Sequence, residues 1–194
     1  MGIYLNPENV DFQEVLNSKI YVDKSELIQY TNSVLRTTQK YICVSRPRRF
    51  GKSMAANMLT AYYSRGCDSR ELFQGLKIAT HPDFEKHLNQ YNVIHLNMRD
   101  YLTESENMKQ LIQFVEDDLL DELQQEFSDL RMPRRKTLVK VLEQAFVQYK
   151  IPFVFIIDEW DCIFRVHKSD AASQKEYLDF LRNLLKDKSY IALA

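Results

Sequence analysis

The stretch that most constrains the fold is residues 41–54, with the sequence YICVSRPRRFGKSM. Residues 41–44 are a short apolar run, a basic loop containing Pro47 follows, and residues 53–63 have spacing that suits a helix. Strand, loop and helix in that order are the context that a phosphate-binding loop requires. The stretch therefore predicts an α/β chain in which one strand leads through a loop into a helix.

The end of this loop carries side chains suited to phosphate chemistry. Gly51, Lys52 and Ser53 occupy the last three positions of the pattern G-x-x-x-x-G-K-[ST], whose first glycine position holds Arg46. Glycine lets the backbone approach a phosphate, lysine reaches the β- and γ-phosphates, and the hydroxyl takes a coordination position on Mg²⁺. Free amides at the start of the following helix also attract anions. The alternative reading of the tripeptide is an ordinary helix start.

A second feature lies about a hundred residues further along the chain. Residues 152–157 form an uninterrupted apolar run that ends in Asp158 and Glu159. Such a run is typical of a strand buried on both faces of a parallel sheet, and ligands bind at the carboxyl ends of such strands. We expect Asp158 to anchor Mg²⁺ and Glu159 to activate the attacking water. The alternative is a helix with an acidic first turn, which would suit its dipole.

Several separated blocks resemble one known family. Residues 46–53 (RPRRFGKS), 21–28 (YVDKSELI) and 157–161 (IDEWD) are similar to blocks of the AAA-ATPase-like domain of bacterial proteins. Residues 72–78 and 91–96 also match the pattern of that family. The resemblance thus extends over nearly the whole chain.

The resemblance implies an ATPase core related to AAA+ and signalling ATPases, with ATP and Mg²⁺ as cofactors. Family members often carry a nuclease-like domain of the PD-(D/E)xK type after this core, and we expect none within these 194 residues. Arg46 belongs to the family's own pattern. The departures are Ser53 in place of threonine and Trp160 in place of tyrosine, and neither removes a needed hydroxyl or charge.

The predicted site combines the phosphate loop with the acidic strand end. Its catalytic residues are Glu159 and Lys52, and its metal ligands are Ser53 and Asp158. The residues expected to bind ATP are Arg46, Pro47, Arg48, Arg49, Phe50, Gly51, Lys52, Ser53 and Met54.

The three arginines of residues 46–49 allow three interpretations. Guanidinium groups match phosphate oxygens in pairs, so they can hold a triphosphate. They can also contact a nucleic-acid backbone, or pair with the acidic residues that follow residue 157. Asp161 has two interpretations as well, since it can shape the metal shell or cap a helix.

Composition excludes several other classes of protein. The 194 residues suit one domain, and the net charge of −1, from 26 basic and 27 acidic residues, gives no reason to expect nucleic acid or an anionic membrane as a partner. The three cysteines are widely spaced and form no C-x-x-C pair, which favours a reducing cytoplasm. We expect a cytoplasmic protein without a membrane span.

The sequence also predicts the order of elements. We expect a docking segment over residues 1–40, in which Asp23 caps a helix together with Glu26; alternatively, Asp23 and Lys24 contact the base or ribose of a nucleotide. A nucleotide-binding core over residues 41–194 follows. Its further predicted elements are a strand at 93–96, helices at 105–127, 137–149 and 173–186, and a strand at 190–194.

The predicted architecture is a three-layer α/β sandwich with a mostly parallel sheet and a P-loop NTPase core. In the related ATPases, the strand corresponding to residues 190–194 lies between the P-loop strand and the acidic strand. Because the sequence stops there, we expect a core that is incomplete at its C-terminal end, without its γ-phosphate sensor and arginine finger.

Three functions are compatible with these residues. The first is a Mg²⁺-dependent ATPase module that gates an attached effector or a partner. The second is a degenerate nucleotide-binding or protein-interaction module without turnover. The third, a small-molecule kinase, is less favoured because Glu159 beside Asp158 suits the activation of water better than that of a substrate hydroxyl.

Overall fold

The structure is a computed structural model that describes residues 2–45 and 50–194. It confirms a mixed α/β fold. The chain divides into two compact units, each described separately below. Unit 1 comprises Met1–His95, Ile151–Ile156 and Ile191–Ala194, and unit 2 comprises Leu96–Lys150 and Ile157–Tyr190.

Within the described residues the sheet has three parallel strands, β1 (Asn92–Asn97), β2 (Phe153–Asp158) and β3 (Ile191–Leu193), in the order β1-β2-β3. Four consecutive residues of β2, from Phe153 to Ile156, are buried. Burial of adjacent residues means that both faces of the strand are covered, because successive side chains point to opposite faces. The strands predicted at residues 93–96 and 152–157 are thus confirmed.

The strand predicted at residues 41–44 is not assigned as a strand, although its main chain bonds to the sheet. The Ala194 amide donates to the Lys40 carbonyl at 3.0 Å, and the Ile42 amide donates to the Ala194 carbonyl at 2.8 Å. Bonds of this kind, one on each side of Tyr41, are the pattern of a parallel neighbour. β3 therefore lies between β2 and residues 40–42, as the family resemblance implies.

The beginning of the chain pairs with β1, the strand at the other edge of the sheet. Leu5 forms an isolated antiparallel bridge with Ile94 of β1, and the Asn6 amide donates to the Val93 carbonyl at 2.7 Å. Asn6 has a left-handed backbone, with φ of 51°, and its side-chain oxygen accepts a hydrogen bond from the Val93 amide at 2.8 Å. These bonds satisfy backbone groups of β1 that would otherwise form an open edge.

Short helices pack around an aromatic core in unit 1. Tyr62 and Tyr63 are fully buried, and their hydroxyls bond to Asn32 at 3.0 and 2.7 Å. Burial raises the pKa of Tyr62 to about 12, so the phenol stays protonated and can donate to the Phe84 carbonyl. The elements are α1 (Val10–Leu16), α2 (Glu26–Val34), α3 (Lys52–Tyr63), α4 (Arg70–Phe73), a 3₁₀ turn (Lys77–Thr80) and α5 (Phe84–His87).

Unit 2 is helical. The helix predicted at residues 105–127 begins later, because the Asn107 side chain accepts the Gln110 amide at 3.0 Å and so caps the helix. The helices predicted at 137–149 and 173–186 are confirmed, with small shifts of their ends. The elements are α6 (Met98–Glu104), α7 (Met108–Glu126), α8 (Leu138–Tyr149), α9 (Cys162–Val166) and α10 (Ala171–Leu185).

The close approach of Gly66 to the beginning of the chain generates a stability prediction. A Cβ at Gly66 would lie 2.3 Å from the Asn6 carbonyl oxygen, which is backbone and cannot rotate away. We expect Gly66→Ala to lower the free energy of unfolding by about 1–3 kcal/mol. Gly75→Ala is the matched control, since a Cβ there meets nothing within 4 Å. Urea unfolding of both variants checks this, and equal midpoints would contradict it.

Candidate functional site

The helix after the phosphate loop begins at Lys52. Gly51, at its N-cap, has a left-handed conformation with φ of 73° and ψ of 37°, which glycine adopts without strain. The Ala55 amide donates to the Gly51 carbonyl at 3.1 Å, which is the first bond of α3. The first turn of a helix is a type of site at which anions bind, because its amides point along the helix axis.

The nine residues expected to bind ATP fall into two groups. Phe50, Gly51, Lys52, Ser53 and Met54 are described, and all lie at or directly before the first turn of α3. Ser53 and Met54 are exposed, whereas Gly51 and Lys52 are half-buried. Arg46, Pro47, Arg48 and Arg49 lie outside the described residues, so the three interpretations of the arginines remain open.

Lys24 contacts the loop directly. Its ammonium Nζ donates to the Phe50 carbonyl at 2.6 Å, and a Cβ at Gly51 would lie 3.0 Å from the same nitrogen. The block of residues 21–28 is thereby tied to the start of α3. Sequence reasoning missed this contact; the one available signal was a lysine in a block that resembles the family and precedes the loop.

Asp23 ties two separate segments of the chain together. Its two carboxylate oxygens accept hydrogen bonds from the Ser25 amide at 2.8 Å and the Lys77 amide at 2.9 Å. Partial burial acts to raise the pKa of Asp23, but these hydrogen bonds outweigh it and lower the pKa below its ordinary value. The capping-box interpretation is wrong: Ser25 is the N-cap of α2, and Glu26 pairs with Lys77 instead.

A pocket of about 340 Å³ opens beside the first turn of α3. Three of the residues expected to bind ATP, Phe50, Gly51 and Met54, form part of its wall. The remaining wall comes from the block before α2 and from later residues of α3. The lining residues are Ile20, Tyr21, Val22, Lys24, Phe50, Gly51, Met54, Ala55 and Met58.

Glu159, which is predicted to activate water, lies in unit 2. Strand β2 ends at Asp158, and Glu159 follows with a left-handed backbone, φ 51°. The Glu159 amide donates to Asp158 Oδ1 at 2.9 Å. A left-handed conformation is unusual for a residue with a Cβ, and such residues concentrate at functional sites.

Arg165 binds the two acids that directly follow β2. Its guanidinium donates to the Glu159 carboxylate and, at 3.3 Å, to Asp161 Oδ2. The hydrogen bond to Glu159 is the main cause that raises the pKa of Arg165 above its ordinary value. Asp161 is the N-cap of α9, but its carboxylate makes no capping bond and pairs with Arg165 instead. A role in the metal shell stays a prediction.

The two residues predicted to bind the metal, Ser53 in unit 1 and Asp158 in unit 2, both carry oxygen donors. Among the residues that the structure describes, no group of three or more His, Cys, Asp or Glu could hold a metal ion. Mg²⁺ typically takes one or two protein oxygens and completes its shell with water and substrate phosphates. The Ser53 hydroxyl and the Asp158 carboxylate are donors of the type that Mg²⁺ prefers.

Comparison with known proteins agrees with these features. A family model described as predicted AAA-ATPase matches residues 10–190, which include the phosphate loop and the acidic strand end. The chain belongs to this AAA-ATPase-like family. The family assignment supports a nucleotide-binding role. No curated protein and no solved structure matches significantly.

Over the described part of the chain, no helix is both long enough and apolar enough to cross a bilayer.

Asp23 generates a pH-dependent prediction. Its pKa is lower in the folded state than in the unfolded chain, so its contribution to stability is present above the unfolded value, roughly 3.9, and is lost as the pH falls through the folded value. We expect Asp23→Asn to lower the free energy of unfolding by about 1 kcal/mol at pH 7, with a smaller difference at pH 3. The measurement is urea unfolding at both pH values.

The control for this prediction is Asp187→Asn. Asp187 is exposed and has φ of 57°, a conformation that asparagine also tolerates, so its stability should hardly change. A pH-independent loss in Asp23→Asn would contradict the assignment of the stabilisation to the ionised carboxylate.

Proposed function

We propose that the chain is a Mg²⁺-dependent ATPase module that binds ATP at the start of α3 and hydrolyses it to gate an attached effector or a partner. The observation that carries the proposal is the position of that start. α3 begins at Lys52, directly after a left-handed Gly51, in a member of a family described as predicted AAA-ATPases. Helix amides, the lysine and the serine hydroxyl are therefore adjacent at one point of the chain.

In this proposal each residue has one task. The Gly51 backbone approaches the phosphates, Lys52 binds the β- and γ-phosphate oxygens, and Ser53 and Asp158 hold the metal. Glu159 orients the attacking water and accepts its proton. A bound Mg²⁺ would neutralise charge on the phosphate oxygens.

The order of the sheet supports the proposal. β3 pairs with β2 on one side and with the main chain of residues 40–42 on the other. In the related ATPases, a strand in this position lies between the P-loop strand and the acidic strand. We therefore extend the proposal to the architecture, namely a P-loop NTPase core with helices on both faces of the sheet.

A second candidate function is nucleotide binding without turnover. The observation that favours it is the ion pair between Glu159 and Arg165. A carboxylate that is already paired with a guanidinium is not available to orient the attacking water. If this pair persisted with ATP bound, the chain would bind the nucleotide but not activate water.

Two substitutions distinguish these candidates. We expect Lys52→Ala to weaken ATP binding at least about tenfold, since it removes a charge-assisted contact worth roughly 1.5–3 kcal/mol. We expect Glu159→Gln to bind ATP normally and to slow phosphate release roughly 10²–10⁴-fold, the usual contribution of a general base. Calorimetry with ATP and Mg²⁺ measures binding, and released phosphate measures turnover.

The controls come from an exposed ion pair on α8. Lys140 and Glu143 contact each other at 2.7 Å, and Lys140→Ala and Glu143→Gln should leave binding and release unchanged. Phosphate release that is unaffected by both Lys52→Ala and Glu159→Gln would defeat the first candidate. ATP binding by the wild-type chain without phosphate release would support the second.

Trp160 offers an independent measurement of binding. It is the only tryptophan of the chain, it follows Glu159 directly, and it is about one-third exposed. Its ring packs edge-on against Phe164 with centroids 5.9 Å apart. A change in its emission on addition of ATP and Mg²⁺, absent in Lys52→Ala, would link the loop to the acidic segment.

A further inference from the structure

Arg165 has two carboxylate partners, and both belong to unit 2 with it. Its guanidinium donates to the Glu159 carboxylate and, at 3.3 Å, to Asp161 Oδ2. Hydrogen bonds between a guanidinium and a carboxylate are usually about 2.7–2.9 Å long, so the contact with Asp161 is a loose one. Glu159 is therefore the main partner of the guanidinium in this structure, and Asp161 is a second carboxylate within reach of it.

The main chain of Glu159 is fixed, so a change of partner must come from its side chain. The Glu159 amide donates to Asp158 Oδ1 at 2.9 Å, and the Glu159 carbonyl accepts the Cys162 amide at 2.9 Å. Cys162 is itself buried. The Glu159 side chain, by contrast, is 21% exposed, and rotation about its bonds moves the carboxylate without breaking either main-chain hydrogen bond.

Asp161 lies where it can hold the guanidinium when Glu159 leaves it. It precedes Arg165 by four residues, a spacing at which side chains of a helix are neighbours. Its side chain is 40% exposed and makes no capping bond with α9, so its carboxylate can approach Arg165 more closely. The buried Ile163 anchors α9, so the exchange needs only the long arginine side chain to turn.

Two carboxylates that share one guanidinium give the segment two possible arrangements. In the first, Arg165 pairs mainly with Glu159; in the second, it pairs with Asp161 and the Glu159 carboxylate is released. Losing one partner of an ion pair is costly when the other charge is left uncompensated. Here the second carboxylate takes over the cation, which lowers the cost of releasing Glu159.

We propose that Arg165 is a positioning residue that alternates between Glu159 and Asp161, and that Glu159 activates water only while Asp161 holds Arg165. The inference rests on the proposed function, since it takes Glu159 to be the base. It assigns Asp161 a role that acts through Arg165 rather than through the metal. The rate of hydrolysis then follows the fraction of molecules in which Glu159 is released.

The test is phosphate release over a range of ATP concentrations at fixed free Mg²⁺. We expect Arg165→Met to raise kcat about three- to tenfold, since Glu159 is then always released and a partly exposed ion pair has about this strength. Arg165→Gln, which also lacks the charge but stays polar, should give the same rise. We expect Asp161→Asn to lower kcat about threefold, because it removes the carboxylate that competes with Glu159. The KM for ATP should stay unchanged in all three variants.

A double variant separates this exchange from a direct role of Asp161 in the metal shell. If Asp161 acts through Arg165, Asp161→Asn has no effect once Arg165→Met is present, and the double variant has the kcat of Arg165→Met. If Asp161 instead binds Mg²⁺, Asp161→Asn lowers kcat by the same factor in both backgrounds. That second result would overturn the proposal, as would an unchanged kcat in Asp161→Asn alone.

Arg182→Met and Asp179→Asn are the matched controls, because these residues form an exposed ion pair on α10 at 2.5 Å; both should leave kcat unchanged. An equal or lower kcat in Arg165→Met, beside a wild-type chain whose phosphate release depends on Glu159, would overturn the proposal while the proposed function stands. Release by Arg165→Met from an inactive wild-type chain would support both. If neither released phosphate, the proposed function itself would fail, and this inference with it.

Discussion

The arrangement of the site depends on the main-chain pairing of β3. This strand is only three residues long, yet it has neighbours on both sides: β2 through Phe153 and Val154, and the segment at residues 40–42 through Ala194. The Arg36 amide adds a further bond to the Ala192 carbonyl at 2.8 Å. Through these bonds, a short strand from the end of the sequence fixes where the chain enters the phosphate loop. Removing β3 would leave buried backbone groups of β2 without partners, at a cost for each of them.

The pattern of apolar residues predicted β2 and α7 reliably. Residues 152–157 predict β2 because an uninterrupted apolar run can be buried on both faces, and the structure buries four consecutive residues there. The helical spacing of apolar residues likewise predicts α7, and Leu111, Val115 and Leu119 are buried along one side of this helix. In both cases a single physical term, the burial of apolar surface, determines the element.

Other features could not be predicted from local patterns. The contact between Lys24 and the Phe50 carbonyl joins residues 26 apart in sequence, and no periodicity encodes it. Asp23 looked like a helix cap, because the side chain of an aspartate near a helix start commonly bonds to the first helical amides. It bonds instead to Ser25, ahead of the helix, and to the distant Lys77 amide. A lone carboxylate can satisfy any nearby amide, so the three-dimensional path of the chain decides which one.

The sequence was least informative about the burial of the residues that line the pocket beside α3. Ile20 and Val22 are apolar residues that precede a helix, yet they are mostly exposed. By contrast Asn32, a polar residue, lies in the core because the two tyrosine hydroxyls satisfy its amide. An apolar residue is buried only when the fold supplies a partner surface. Exposed apolar residues around one pocket therefore carry information that composition alone does not contain.

The acidic segment after β2 sets the remaining electrostatic constraint. Asp158, Glu159 and Asp161 place three carboxylates within four residues, and a nearby cation makes such a concentration of like charge less unfavourable. Arg165 supplies one positive charge to two of them, Glu159 and Asp161. A group that acts on Glu159 must therefore compete with this guanidinium, whereas the bond that Asp158 makes to the Glu159 amide is independent of Arg165. The contacts of the two residues thus differ: the Glu159 carboxylate pairs with Arg165, whereas the Asp158 carboxylate accepts the Glu159 amide.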